Sequence, residues 1–156
     1  MNKRSRVAIW TLFGAYCLIM FWLLFLQRPS RMGELGYWDT LRDNLNLMPL
    51  QTIKLFLRSY HLMPRAAMIN IVGNIAVFIP AGLFLPCLWK HQRSFFIFSA
   101  TVIVLVALVE CAQLFTMVGS CDIDDLILNY AGALIGFCLF SLPAVKRGLI
   151  RRGWAK

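Results

Sequence analysis

Apolar residues dominate this chain in four long runs, at 7–27, 68–89, 95–118 and 125–145. A helix needs about 20 residues to cross the hydrocarbon core of a bilayer, so each run predicts one membrane-spanning helix. The first run carries no charged side chain. The segment between the first two runs reads differently. Pro29, Gly33 and Gly36, followed by Trp38-Asp39, predict a loop. From Leu50 the pattern turns helical: Leu50, Ile53, Leu57 and Tyr60 recur at i, i+3, i+7 and i+10, while Gln51, Lys54, Arg58 and His61 hold the neighbouring face. Pro49 suits the first turn of such a helix and Pro64 stops it. The expectation is a short amphipathic helix with a basic face that lies in the membrane interface or folds back over the mouth of the bundle.

Composition agrees with the runs. Hydrophobic residues make up 60% of the 156, and charged residues only 15%. That places the chain among integral membrane proteins, as a single membrane domain over 1–156. Lys3, Arg4 and Arg6 precede the first run as they would in a signal peptide. The run is too long for one, however, and Gln27-Arg28-Pro29 follows it instead of a small-x-small cleavage site, so a retained span is expected. A net charge of +9 would suggest nucleic acid in a soluble protein. Here the charges flank the spans, so the expected partner is the lipid bilayer and no nucleic acid. The N-terminus, the loop with Lys90 and Arg93, and the tail with Lys146, Arg147, Arg151, Arg152 and Lys156 are basic. The loop between the third and fourth runs has no Lys or Arg. This balance puts both termini in the cytoplasm and the protein in the plasma (inner) membrane. The five cysteines have no paired spacing, and four lie within spans, where a thiol behaves as a small apolar group.

The chemistry sits in polar residues that interrupt the runs. Glu110 stands inside the third run, where a carboxylate costs roughly 2.5–3.5 kcal/mol on insertion scales and usually faces a bundle interior or a wet cavity. Four of the seven acidic residues lie between positions 110 and 125. With both termini inside, Asn70 and Asn74 share one face in the outer half of span two. Glu110 and Gln113 do so in span three, and Asp122, Asp125 and Asn129 form one stripe into span four. Asp124 is expected to point elsewhere. Three spans thus bring polar groups to one depth, which predicts a shared cavity open to the extracytoplasmic face, with Lys54 and Arg58 nearby. Asp122 or Asp124 also suits a helix N-cap. Pro80 predicts a kink, or a helix broken at the site, and Gly82 allows close approach. Gly132 and Gly136 form a G-x-x-x-G, expected to pack helices within one chain or in a homo-oligomer. No metal constellation, phosphate loop, nucleotide motif or Ser/His/Asp arrangement appears, so no metal and no cofactor are expected.

Taken together, these residues resemble the VanZ-like family of small membrane proteins, whose founding member is a teicoplanin-resistance protein. Asn46-Leu47-Met48-Pro49-Leu50 looks like the family's Asn-Leu-x-Pro-Phe, and Asn74 through Gly82 like its Asn-x-x-x-Phe-x-Pro-Phe-Gly. Glu110-Cys111-Ala112-Gln113 matches Glu-x-x-Gln. Asp122, Asp125, Asn129 and Gly132 match Asp-x-x-Asp-x-x-x-Asn-x-x-Gly. Leu50 and Ala81 depart from the family's Phe at both places. The runs predict an all-α bundle of four membrane spans with an interfacial amphipathic helix on the extracytoplasmic side, and the resemblance implies a link to lowered susceptibility to a lipid-bearing glycopeptide antibiotic.

Three functions remain open on the residues. The first is a module that binds or excludes an amphiphile at the outer leaflet through Asn70, Asn74, Glu110, Gln113, Asp122, Asp125, Asn129, Lys54 and Arg58. The second is an intramembrane enzyme for a lipid-linked substrate, with Glu110 as general acid or base. The third is a small proton-coupled transporter. The first is the expected one.

Overall fold

The computed structural model describes residues 3–27, 36–58, 61, 64–151 and 154. Tyr60, Pro29 and Gly33, which enter the sequence reading, lie outside the described residues. The helices are α1 (Lys3–Phe21), α2 (Tyr37–Asp43), α3 (Gln51–Arg58), α4 (Pro64–Leu88), α5 (Phe95–Phe115), α6 (Ile123–Ser141) and α7 (Pro143–Arg151). A π-helical turn, Trp22–Leu26, extends α1. With that extension, α1 joins α4 from Met68, α5 and α6 as the four helices among the described residues that are long and apolar enough to cross a membrane. Among the described residues the fold is helical apart from one two-residue strand pairing, so the all-α class is as expected.

Three local readings change. The predicted loop contains α2, whose start at Gly36 has no side-chain cap and whose buried residue is Thr40. Pro64 opens α4 rather than closing the helix before it, a position where its missing N–H costs nothing. Pro80 and Pro86 both lie inside α4, which continues through them, so α4 is not broken at a site.

Helices α4 and α6 form the tightest pair. A Cβ on Gly132 would strike the carbonyl of Ile75, one on Gly136 the carbonyl of Ile79, and one on Gly82 the carbonyl of Ala133. The offset between 75 and 132 equals that between 79 and 136, so the two helices run parallel and start at the same end of the bundle. The G-x-x-x-G therefore packs within one chain, where small residues let backbones approach closely in the absence of a hydrophobic drive. Phe78, Leu85, Phe98, Val102, Val106 and Ala133 fill the core between α4, α5 and α6. Phe98 and Phe137 stack at 4.5 Å.

Helix α1 attaches through aromatic side chains. Trp10 meets Trp89 edge-on at 5.5 Å and Phe13 meets Phe84 at 5.7 Å. The Tyr16 hydroxyl donates to the Val77 carbonyl at 3.0 Å. Ile9 is buried against Cys87 and Phe140, with Leu149 and Trp154 packed alongside. These contacts bring the start of α1, the end of α4 and α7 together at one end. The polar residues of the spans lie at the other.

Candidate functional site

The site is organised by the aspartates at the head of α6. Asp122 is the N-cap of α6; its backbone is extended and its carboxylate accepts from the Asp124 amide at 2.9 Å. This satisfies one of the orphan donors that every helix start leaves. The other Asp122 oxygen accepts from the Thr52 hydroxyl at 2.5 Å and from Asn46 Nδ2 at 3.3 Å. Asn46 also donates to Thr52 at 3.0 Å, and its own carbonyl oxygen accepts from the Met48 amide. Asn46 and Asp122 sit opposite each other in a short parallel pairing of Leu45–Asn46 with Cys121–Asp122.

Asp124 does not point away. It is 0% exposed and caps a second helix. One carboxylate oxygen accepts from the Leu50 amide at 2.5 Å, the other from the Ile53 amide at 3.0 Å. Leu50 precedes α3 and has no polar side chain to cap it, so the cap comes from α6. Two helix starts, those of α3 and α6, converge on this one carboxylate, and both place partial positive charge near it. Leu50 adopts a left-handed backbone, φ 63°. A non-glycine residue pays about 1–2 kcal/mol for that conformation, and it aims the Leu50 N–H at Asp124.

Deeper in the spans, Asn74 Nδ2 of α4 donates to Asp125 at 2.6 Å. Gln113 Nε2 of α5 donates at 2.7 Å to the Leu24 carbonyl, in the last turn of the first span, where helical carbonyls lack an internal partner. Glu110 is 2% exposed, Gln113 0% and Asn129 2%. Asn70 Oδ1, Gln113 Oε1 and Asn129 Oδ1 are buried without a hydrogen-bond partner among the described residues. The expected polar residues therefore do gather at one end of three spans. Glu110, Gln113, Asp122, Asp125 and Asn129 are buried there and Asn70 and Asn74 half-buried, in place of the open cavity the sequence predicted, and Asp122 and Asp124 hold the 45–53 segment on the head of α6.

The same end is closed at the turn after α5. The Val118 amide donates to the Gln113 carbonyl and the Met117 amide to the Leu114 carbonyl, the pair of bonds that ends a helix in a Schellman motif. Met117 takes the left-handed position usually filled by glycine, φ 56°. The Tyr37 hydroxyl of α2 donates to the Phe115 carbonyl at 3.1 Å, and the Cys121 amide donates to the Asn44 carbonyl at 3.0 Å. Burial, together with nearby Cys111, Glu110 and Asp122, pushes the Cys121 thiol up to about 11.

Lys54 and Arg58 are exposed on α3. The helix does not bury the stripe its sequence suggests. Thr52, Ile53 and Phe56 are half-buried, while Leu55 and Leu57 are 61% and 60% exposed. Its docking is set by backbone donors at its start, so the exposed face mixes leucines with cations. Asp124 and Thr52 are the functional-site residues that the periodicity of the sequence did not single out. Asn46 entered only through the family pattern.

Fold and site together define a small helical membrane protein whose intramembrane polar groups collect beneath a docked amphipathic helix. A family model described as VanZ/LLP1 matches residues 13–145. The chain belongs to the VanZ/LLP1 family. Over 88 residues it is 35% identical to Protein VanZ of Enterococcus faecium, in an alignment covering 54% of each chain. The chain thus spans about half the length of this curated relative. No solved structure matches it.

Proposed function

We propose that this protein binds an amphiphile at the outer leaflet of the plasma membrane, with both its termini in the cytoplasm. The ligand class is a lipid-bearing glycopeptide or a lipid-linked envelope intermediate, as the family resemblance suggests. The observation that carries the reading is the exposed face of α3, where Leu55 and Leu57 stand beside Lys54 and Arg58. Such a face offers an acyl chain an apolar surface and an anionic head two cations, at the level where headgroup and hydrocarbon meet. The aspartates of α6 hold that face in place.

The test is susceptibility to a lipid-bearing and a lipid-free glycopeptide in cells making the wild type or a Lys54→Glu/Arg58→Glu double variant at equal membrane levels. The reading expects protection by the wild type against the lipidated drug alone, and its loss in the double variant. Protection unchanged by the charge reversal would remove α3 as the recognition surface.

A further inference from the structure

The two ends of the bundle differ sharply in charge. All seven Asp and Glu residues lie between positions 34 and 125, in the segments leading to and forming the polar site. The opposite end gathers the start of α1, the turn at Lys90–Arg93 and helix α7, and none of these segments contains an acid. Lys3, Arg4, Arg6, Lys90, Lys146 and Arg147 are all exposed there. An open surface site of about 570 Å³ lies along one face of α1 at this end, lined by Lys3, Arg6, Val7, Trp10 and Thr11. Its lining grades along the helix from two cations to an apolar wall. Trp10 forms that wall and is fixed edge-on against Trp89 and Phe13. Leu149 of α7 and Trp154 pack near the same place, beside Ile9, so the basic segments are tethered to one another.

We propose that this face of α1 docks the headgroup of an anionic phospholipid, phosphate toward Lys3 and Arg6 and acyl chain along Val7 and Trp10. Charge complementarity favours this occupant. A basic end at the membrane surface with no acid to neutralise it attracts anionic lipid, and a tryptophan at that depth suits the boundary between headgroup and hydrocarbon. Both cations of the site, Lys3 and Arg6, come from the first two turns of α1, one helical turn above Val7 and Trp10.

Native mass spectrometry of the full chain, delipidated in a neutral detergent, tests this by titration with short-chain phosphatidylglycerol, phosphatidylcholine or inorganic phosphate. Phosphatidylglycerol should bind more tightly than phosphatidylcholine, and inorganic phosphate should not displace it. Lys3→Gln/Arg6→Gln should weaken phosphatidylglycerol by on the order of 25-fold, from about fivefold per cation near an anionic surface. Arg42→Gln, which removes an exposed cation from α2 at the other end, should leave it unchanged. Thermal unfolding of each variant confirms that it is folded. Equal binding of the two lipids would overturn the proposal. So would displacement by inorganic phosphate, or a loss in Arg42→Gln as large as in the double variant.

Discussion

Removing the Asp124 carboxylate should release α3 while leaving the spans intact. Two amides, those of Leu50 and Ile53, donate to the two oxygens of this fully buried side chain. A hydrogen bond to a charged group contributes about 1.5–3 kcal/mol. Two at the lower figure come to about 3 kcal/mol, or roughly a hundredfold in the ratio of docked to undocked α3. The helix has eight residues, and so short a helix does not persist in water without tertiary support. Asp124→Ala should therefore raise hydrogen–deuterium exchange across Gln51–Arg58 by about that factor, with α4 and α5 still protected. Asp124→Asn keeps one acceptor oxygen and should fall between the two. Unchanged exchange of α3 in a folded Asp124→Ala protein would refute the claim that this carboxylate holds the helix.

Gly136→Ala and Gly132→Ala each force a methyl into a backbone carbonyl of α4 and should lower stability by about 1–3 kcal/mol. Gly14→Ala meets nothing within 4 Å and should be neutral or stabilising, a contrast that thermal unfolding in detergent reads directly. At the left-handed turn after α5, Met117→Val should destabilise more than Met117→Gly. Both lose buried surface, but only valine is β-branched at positive φ, and chemical denaturation of the two variants checks the order. Because its ionisation is pushed up to about 11, Cys121 stays a neutral thiol at pH 8. Followed at Cys121 by peptide mass spectrometry with Cys111 left in place, its maleimide labelling should be slow at pH 8 and climb as pH approaches 11, whereas an ordinary thiol would already react readily near pH 8.5.

The spans could be read from the sequence because bilayer thickness imposes a run length that few other structures need. Gly132 and Gly136 announced a close approach. Only the structure names the opposing backbone, since spacing on one helix carries no information about its neighbour. The site was legible in its depth but not in its wiring. Asp124 was assigned to the wrong side because a helical wheel sorts faces within one span. At the first turn of α6 the side chain instead reaches beyond the helix, to the start of α3. Helix α2 was missed because neither a cap at Gly36 nor an apolar stripe marks it; its anchors are Thr40 and the Tyr37 hydroxyl. Pro64 illustrates a true ambiguity, since proline both stops a preceding helix and starts a following one. The apolar stripe of α3 misled for a related reason: hydrogen bonds at its first turn, rather than the burial of leucines, fix how the helix sits.

The most direct test of the account is binding of a lipid-bearing glycopeptide to the purified protein in nanodiscs, measured beside its lipid-free counterpart. Wild type should bind the lipidated form preferentially. Lys54→Glu/Arg58→Glu should abolish the preference, and Asp124→Ala should weaken it by freeing α3. Equal binding of both glycopeptides, or a preference that survives the charge reversal, would contradict recognition of an amphiphile at the exposed face of α3.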